Sequence, residues 1–442
     1  MSATIDGDGA QGRGRIATGE PIWDRPDRPL WMRLVNGAGR ALRRVGLRRP
    51  GLDPEQFLAV AERRTGLSDW GDDRFRDGLK ALVEAFERQD TAHMFGRIAF
   101  RAFCIRLLVN RLRIEDELRR HPEILEVPIR RPVFVTGLPR SGTTLLHRLL
   151  AQNPAGRPLL FWEASEPAPP PRPETYRTDP RIERTRKEVQ RLDRVAPRIA
   201  AAHEFDAASP EECNNLFAHG FEAGIFGFLF DVPGYVEWLR GRDLVGPYRY
   251  VRRQLQLLSR HIPGDPWVLK APAHLFGLDA LLTAFPDARI VVTHRDPLQV
   301  IPSLCSLSAA FRGVFCERVD LRRLGAEYTE AMAVGVERAL AYRATADPAR
   351  FLDVSYRALL ADPAGTVETV CRHFGDAYEA AFEARVRGWL AVNPQHKHGV
   401  HRYSLEQFGL DPGSVNARYA TYRRWMEENL PGSPHPSASG RA

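Results

Sequence analysis

The stretch Pro132-Val-Phe-Val-Thr-Gly137-Leu-Pro-Arg-Ser-Gly142-Thr143-Thr144 most narrows what this chain can become. A short apolar, β-branched run ends on Gly137. A second glycine, Gly142, lies five residues on and precedes a helix-like segment reaching about Gln152. Glycines at this spacing let the backbone fold around an oxyanion. The amides that open the helix then point at the anion, helped by the helix dipole. In a Walker-type loop a lysine precedes the final hydroxyl. Here Thr143 takes that place, and the cation is Arg140, inside the loop. Without that lysine the loop is poorly equipped for triphosphate chemistry.

The same alternation returns downstream. Strands are expected at 267–269, 289–293 and 351–354, and helices at 275–285, 298–311 and 363–374. Strands alternating with helices predict an α/β fold, a mostly parallel sheet flanked by helices, of the P-loop nucleotide-binding type. Ligands of such folds sit at the carboxyl ends of the strands. Upstream the spacing changes to three and four. Asp53-Pro54 reads as a cap and first turn, Asp73 opens a second helix through Phe75, Leu79, Leu82 and Phe86, and a third runs from about Thr91 to Leu112. The division expected is a flexible arm over 1–28, a helical N-terminal element over 29–130, the α/β domain over 131–425 and a tail over 426–442. The Pro- and charge-rich stretch 161–198 reads as a loop followed by a polar helix, an insertion that could cover a site.

Composition is that of a globular chain: 442 residues, 43% apolar and 27% charged. The net charge of +8 favours anionic partners. Its basic residues are dispersed, with no nucleic-acid-binding motif, so no nucleic-acid partner is expected. Cys104, Cys213, Cys305, Cys316 and Cys371 are scattered and odd in number, which predicts reduced thiols, no disulfide framework and no metal site. The N-terminal residues do not read as a secretory signal. The apolar stretch 216–239 is broken by Glu222, Asp231, Pro233 and Glu237, so no membrane span is expected and the chain reads as cytoplasmic.

PVFVTGLPRSGTTLLHRLL resembles the nucleotide-binding loop of bacterial sulfotransferases that carry an arginine in it. The resemblance implies 3′-phosphoadenosine 5′-phosphosulfate as co-substrate and no metal. It places the 5′-phosphosulfate on Arg140, Ser141, Gly142, Thr143 and Thr144. It also demands a second phosphate site, an Arg after a strand and a Ser eight residues on, and Arg295 and Ser303 have that spacing. Arg295 can offer phosphate a charge-assisted fork. Tyr356 matches the family's tyrosine near the adenine, and 396–403 resembles its late basic loop. The resemblance covers most of 130–425.

Sulfuryl transfer asks a protein to neutralise the leaving oxygen, align the acceptor and take its proton. The resemblance gives the first task to Lys270, at the end of the expected strand 267–269, with Arg140 as a second cation. The base is open between His274 and the pair Glu211 and Glu212, with His203 and Asp206 as outsiders. Phe217, Phe221, Phe226, Phe228 and Phe230 read as core; if some line a cavity, the acceptor is apolar around its hydroxyl or amine. The acceptor is expected to be a small molecule or glycan. The alternative function is a small-molecule kinase with a degenerate loop, which should show the missing lysine.

Overall fold

The computed structural model describes residues 28–46, 51–196, 199, 205–393 and 403–430. Its centre is a five-stranded sheet in the order β2-β3-β1-β4-β5, with every pair parallel. The strands are β1 (Val133–Gly137), β2 (Arg157–Pro158), β3 (Trp267–Lys270), β4 (Arg289–His294) and β5 (Phe351–Ser355). All residues of β1, β3 and β4 are buried. That explains why their sequences read as unbroken apolar runs rather than alternating ones: helices cover both faces. Each strand is within a residue or so of its expected span. The two-residue edge strand β2 was not foreseen; it is too short to carry a pattern.

Among the first helices are α1 (Leu30–Arg44), α2 (Pro54–Thr65), α3 (Arg74–Gln89), α4 (Met94–Arg120) and α5 (Thr143–Leu150). At the start of α2 the Asp53 side chain accepts from the Glu55 amide at 3.0 Å, and Pro54 occupies the first turn. The helix stops at Gly66, whose φ of 70° is the left-handed turn glycine tolerates best. The helix α4 runs two turns past its expected end at Leu112, because Ile114 and Leu118 continue its buried stripe. These helices share one core with the sheet. Phe86 stacks on Phe100 at 3.8 Å, and Phe230 meets both edge-on at 5.9 and 5.0 Å. Such pairs add about 0.5–1.5 kcal/mol each beyond area burial.

Downstream, the expected helix 275–285 is split into a 3₁₀ turn, Pro272–Phe276, and a helix, Leu278–Ala284, with Gly277 between. The stretch expected as a loop opens with a short helix, Phe161–Ser165, and the polar helix is Pro180–Val195. The last helix, Ala420–Asn429, continues past the expected boundary at 425. The helix Pro297–Phe315 is long and apolar enough to cross a membrane, but it is packed inside the fold. All five cysteines are buried free thiols.

Candidate active site

The first site forms where β1 leaves the sheet. Gly137 lies opposite Thr293 of β4. Its φ is 139°, and a Cβ there would fall 2.3 Å from the Thr293 carbonyl oxygen, so only glycine fits. The loop then turns through left-handed positions at Arg140 (φ 67°) and Gly142 (φ 95°). A non-glycine residue held there stores strain, a frequent mark of functional loops. The Ser141 hydroxyl bonds the Thr293 hydroxyl at 2.6 Å and so ties the loop to β4. Among the described residues, no side chain caps the start of α5. Its first amides are therefore left to an external acceptor, and the dipole favours an anionic one.

The second site forms at the end of β4, the neighbour on which the strand order reverses. The Arg295 guanidinium lies over the Tyr356 ring at 4.2 Å and donates to the Arg140 carbonyl at 2.8 Å. The Tyr356 ring lies against Gly142, whose added Cβ would come within 2.9 Å of it. Ser303, on the Pro297–Phe315 helix, accepts from Arg140 Nε at 3.2 Å. Arg140 thus shapes the first loop with its backbone and reaches the second site with its side chain. Asp296 caps the helix at Leu298 and accepts from Arg423 at 2.9 Å, which pins the turn carrying Arg295 to the C-terminal helix.

A third cluster closes the opposite flank. Lys270, at the end of β3, is 2% exposed. Its Nζ lies 2.5 Å from Glu212 Oε1 and 3.4 Å from the Thr144 hydroxyl, at the mouth of α5. Glu212 rides on a strap without regular structure, yet both sides of it are fixed. The Glu211 amide donates to the Leu159 carbonyl at 2.8 Å, and the Cys213 amide to the Lys270 carbonyl at 2.9 Å. Asn214 donates to the other carboxylate oxygen of Glu212 at 2.5 Å. Desolvation raises the Glu211 carboxyl above the usual range, with Lys270 opposing, and its oxygen accepts from the Glu212 amide at 2.8 Å.

Among the described residues, His274 makes no hydrogen bond to this cluster. Its ring is fully buried, edge-on to Phe134 at 5.1 Å, and its Nδ1 pairs with the Tyr248 hydroxyl at 2.8 Å. Burial, reinforced by the charge of Lys270, lowers its pKa to about 3. Asp206 is exposed and caps the turn at Ala208. His203 and the basic residues 396–402 lie outside the described residues.

Of the five phenylalanines named above, only Phe228 is part-exposed; the other four are core. Phe161 and Phe205, which sequence reasoning did not single out, complete a chain of rings. Phe161 meets Phe205 at 5.6 Å, Phe205 meets Phe311 at 6.3 Å, and Phe311 meets Phe228 at 5.2 Å. The chain starts beside the strap, where the Phe161 amide donates to the Ser209 carbonyl at 3.1 Å, crosses the Pro297–Phe315 helix at Phe311 and ends on the short helix Ile225–Leu229. Among the described residues, no group of three or more His, Cys, Asp or Glu side chains could hold a metal.

The arrangement places two candidate anion sites side by side, a lysine–glutamate pair beside the first and an aromatic wall beyond it. Residues 132–380 match the profile described as the Sulfotransferase family. The structure of sulfotransferase STF1 from Mycobacterium tuberculosis H37Rv is 34% identical, covers 85% of this chain and all of its own, and superposes with a TM-score of 0.76. Sulfotransferase STF9 from Mycobacterium avium is 32% identical, covers 84% of this chain and 96% of its own, with a TM-score of 0.78. A curated relative from Mycobacterium tuberculosis, omega-hydroxy-beta-dihydromenaquinone-9 sulfotransferase Stf3, is 24% identical over 326 residues, 70% of this chain and 79% of its own.

Proposed function

The chain belongs to the sulfotransferase family and is a sulfuryl-transferring enzyme, and we propose that its donor is 3′-phosphoadenosine 5′-phosphosulfate and its acceptor a hydroxyl on a largely apolar body. The observation that carries this reading is the Lys270–Glu212 contact at the mouth of α5, beside the uncapped amides of the loop. A kinase reading has no such support, since the loop lacks the lysine that grips a triphosphate.

The backbone of 140–144, with the hydroxyls of Thr143 and Thr144, holds the phosphosulfate. Arg295 and Ser303 hold the 3′-phosphate, and Tyr356 stands by the adenine. Arg140 supplies charge between the two sites. Lys270 neutralises the phosphate oxygen as its bond to sulfur breaks. Glu212 takes the proton of the acceptor hydroxyl as the new oxygen–sulfur bond forms. Before donor binds, Glu212 and Lys270 neutralise each other; a phosphosulfate at Lys270 competes for that cation and leaves Glu212 free to act as base. His274, buried and neutral, supports the core behind β1 and β3.

The aromatic wall Phe161–Phe205–Phe311–Phe228 supports an apolar acceptor. So does the curated relative, named for an omega-hydroxylated dihydromenaquinone. The test titrates the protein with 3′,5′-adenosine bisphosphate, AMP and ATP·Mg²⁺, then supplies donor with long-chain prenyl alcohols, simple phenols and oligosaccharides. Preference for the bisphosphate and sulfation of the prenyl alcohols are expected. Equal binding of bisphosphate and AMP would overturn the donor assignment, and sulfation of oligosaccharides alone the acceptor class.

A further inference from the structure

The helix α1 is built inside out. Its inner side packs on α4 through Met32, Asn36 and Gly39, all buried. A Cβ on Gly39 would fall 2.7 Å from Met94 Cβ, and Asn36 accepts from the Phe95 amide at 3.0 Å. Met32 apart, its large apolar residues mostly face away. Leu30, Leu34 and Val45 are 69%, 65% and 73% exposed, and Trp31 and Leu42 are exposed beside them. At about 100° per residue these side chains form one outward stripe, with Arg33, Arg40 and Arg44 along its edge. Trp31 meets the Phe95 ring at 5.2 Å, and Ile98, one turn further along α4, extends the apolar surface. Two acids lie at the flank: Glu317, 3.2 Å from Arg40, and Asp90, 3.6 Å from Arg43, both in exposed pairs that bind weakly.

We propose that α1 lays this face on an anionic lipid surface. An outward stripe of leucines with a tryptophan, edged by arginines, is the pattern of a helix lying in the plane of a membrane interface. Its apolar side chains enter the acyl boundary while the arginines meet anionic headgroups, each adding about a fivefold gain. The site's own architecture gives the docking a direction. Ser303 lies near the start of the Pro297–Phe315 helix and Phe311 of the aromatic wall further along it. At its far end the Phe315 carbonyl accepts from the His93 amide at 3.2 Å, and Cys316 bridges Ala92 and receives Arg28, just ahead of α1. The lipid face therefore stands at the acceptor end of the helix whose other end holds nucleotide. The proposal leans on the apolar-acceptor reading only for this orientation. Vesicle binding needs no turnover, so the two fail separately.

The experiment is co-sedimentation of the full chain with vesicles of phosphatidylcholine, alone or with a third replaced by phosphatidylglycerol. Binding to the anionic vesicles is expected, weakening as salt screens the headgroups. Leu34→Glu should reduce it at least tenfold. Arg33→Gln with Arg44→Gln should reduce it on anionic vesicles by about fivefold per arginine. Both variants should keep the wild-type melting temperature and affinity for 3′,5′-adenosine bisphosphate, because these side chains leave the core. A wild-type chain that stays in the supernatant overturns the proposal, as does Leu34→Glu binding like wild type. A dimer in gel filtration that Leu34→Glu dissociates, with no vesicle binding, would assign the face to a second copy. Binding that begins only after residues 1–27 are removed would assign it to that segment.

Discussion

The proposed nucleotide crevice and the proposed acceptor side are held in place by different means. Between β1 and β4, strand register does the work: Gly137 faces Thr293, and Arg295 follows from the end of β4. On the other side Glu212 sits on an irregular strap, tied by backbone bonds from Trp162 to Ala207, Phe161 to Ser209, Glu211 to Leu159 and Cys213 to Lys270. A parallel sheet fixes positions through many shared hydrogen bonds, so single substitutions in the crevice should change affinity without moving it. The strap has no strand register of its own and is tied at separate points along its length. On the proposed function, it is the side where acceptor shape can vary while donor binding stays the same.

Breaking the acceptor side should show first in turnover. Glu212→Gln removes the carboxylate but keeps a hydrogen-bonding partner for Lys270. Its kcat is expected to fall about a hundred- to ten-thousandfold, with the acidic limb of the rate profile flattened. Glu211→Gln, next to it, should stay within a few-fold of wild type, since its oxygen is occupied by the Glu212 amide. Equal losses in the two would show that the strap, not the base, was damaged. Lys270→Ala comes next, with roughly a hundred- to a thousandfold loss of kcat and little change in affinity for 3′,5′-adenosine bisphosphate. Lys270→Arg should recover little, because a planar fork cannot place its charge where the ammonium stood. Near-normal turnover in Lys270→Ala would move the catalytic cation to Arg140.

The crevice should answer in binding instead. Removing a charge-assisted contact of ~1.5–3 kcal/mol weakens binding by about ten- to a hundredfold. Arg295→Ala is expected to lose that much for the bisphosphate and almost nothing for AMP. Arg140→Ala should weaken both, because it removes the guanidinium charge that the proposed site places between the two phosphates. A variant Arg295→Ala that still prefers the bisphosphate would undo the assignment of the second site.

The difference between the two sides also decides what could be read in the sequence. The strand–loop–helix junction, the Arg295–Ser303 spacing and the strand-end position of Lys270 each lie within one βα unit, where local pattern and position coincide. The Lys270–Glu212 pair spans 58 residues and rests on a strap with no period, so sequence offered Glu212 only as one of several bases. His274 stood four residues from Lys270, but burial is a tertiary property and nothing local reveals it. No individual helix is expected from the sequence over the residues of α1, and its apolar spacing does not say which side meets the core. Gly39 and Asn36, rather than the leucines, turn out to face α4.

The smallest effect separates His274 from Glu212 most cleanly. Burial holds three histidines neutral: His147 and His274 are lowered to about 3 and His219 to about 4. In the unfolded chain each takes up a proton near pH 6.5. Between that pH and the folded values the unfolded state binds more protons, so stability falls as pH falls, and above about pH 7 the contribution is constant. Each histidine adds a slope approaching ~1.4 kcal/mol per pH unit. His274→Gln keeps a partner for the Tyr248 hydroxyl but cannot be protonated. Denaturant melts between about pH 5 and 7 should therefore lose one proton's worth of slope, while kcat and its acidic limb stay within a few-fold of wild type. If the slope is unchanged and kcat falls a hundredfold, His274 reaches the reacting atoms after all, and the Glu212 carboxylate serves only to hold Lys270 in place.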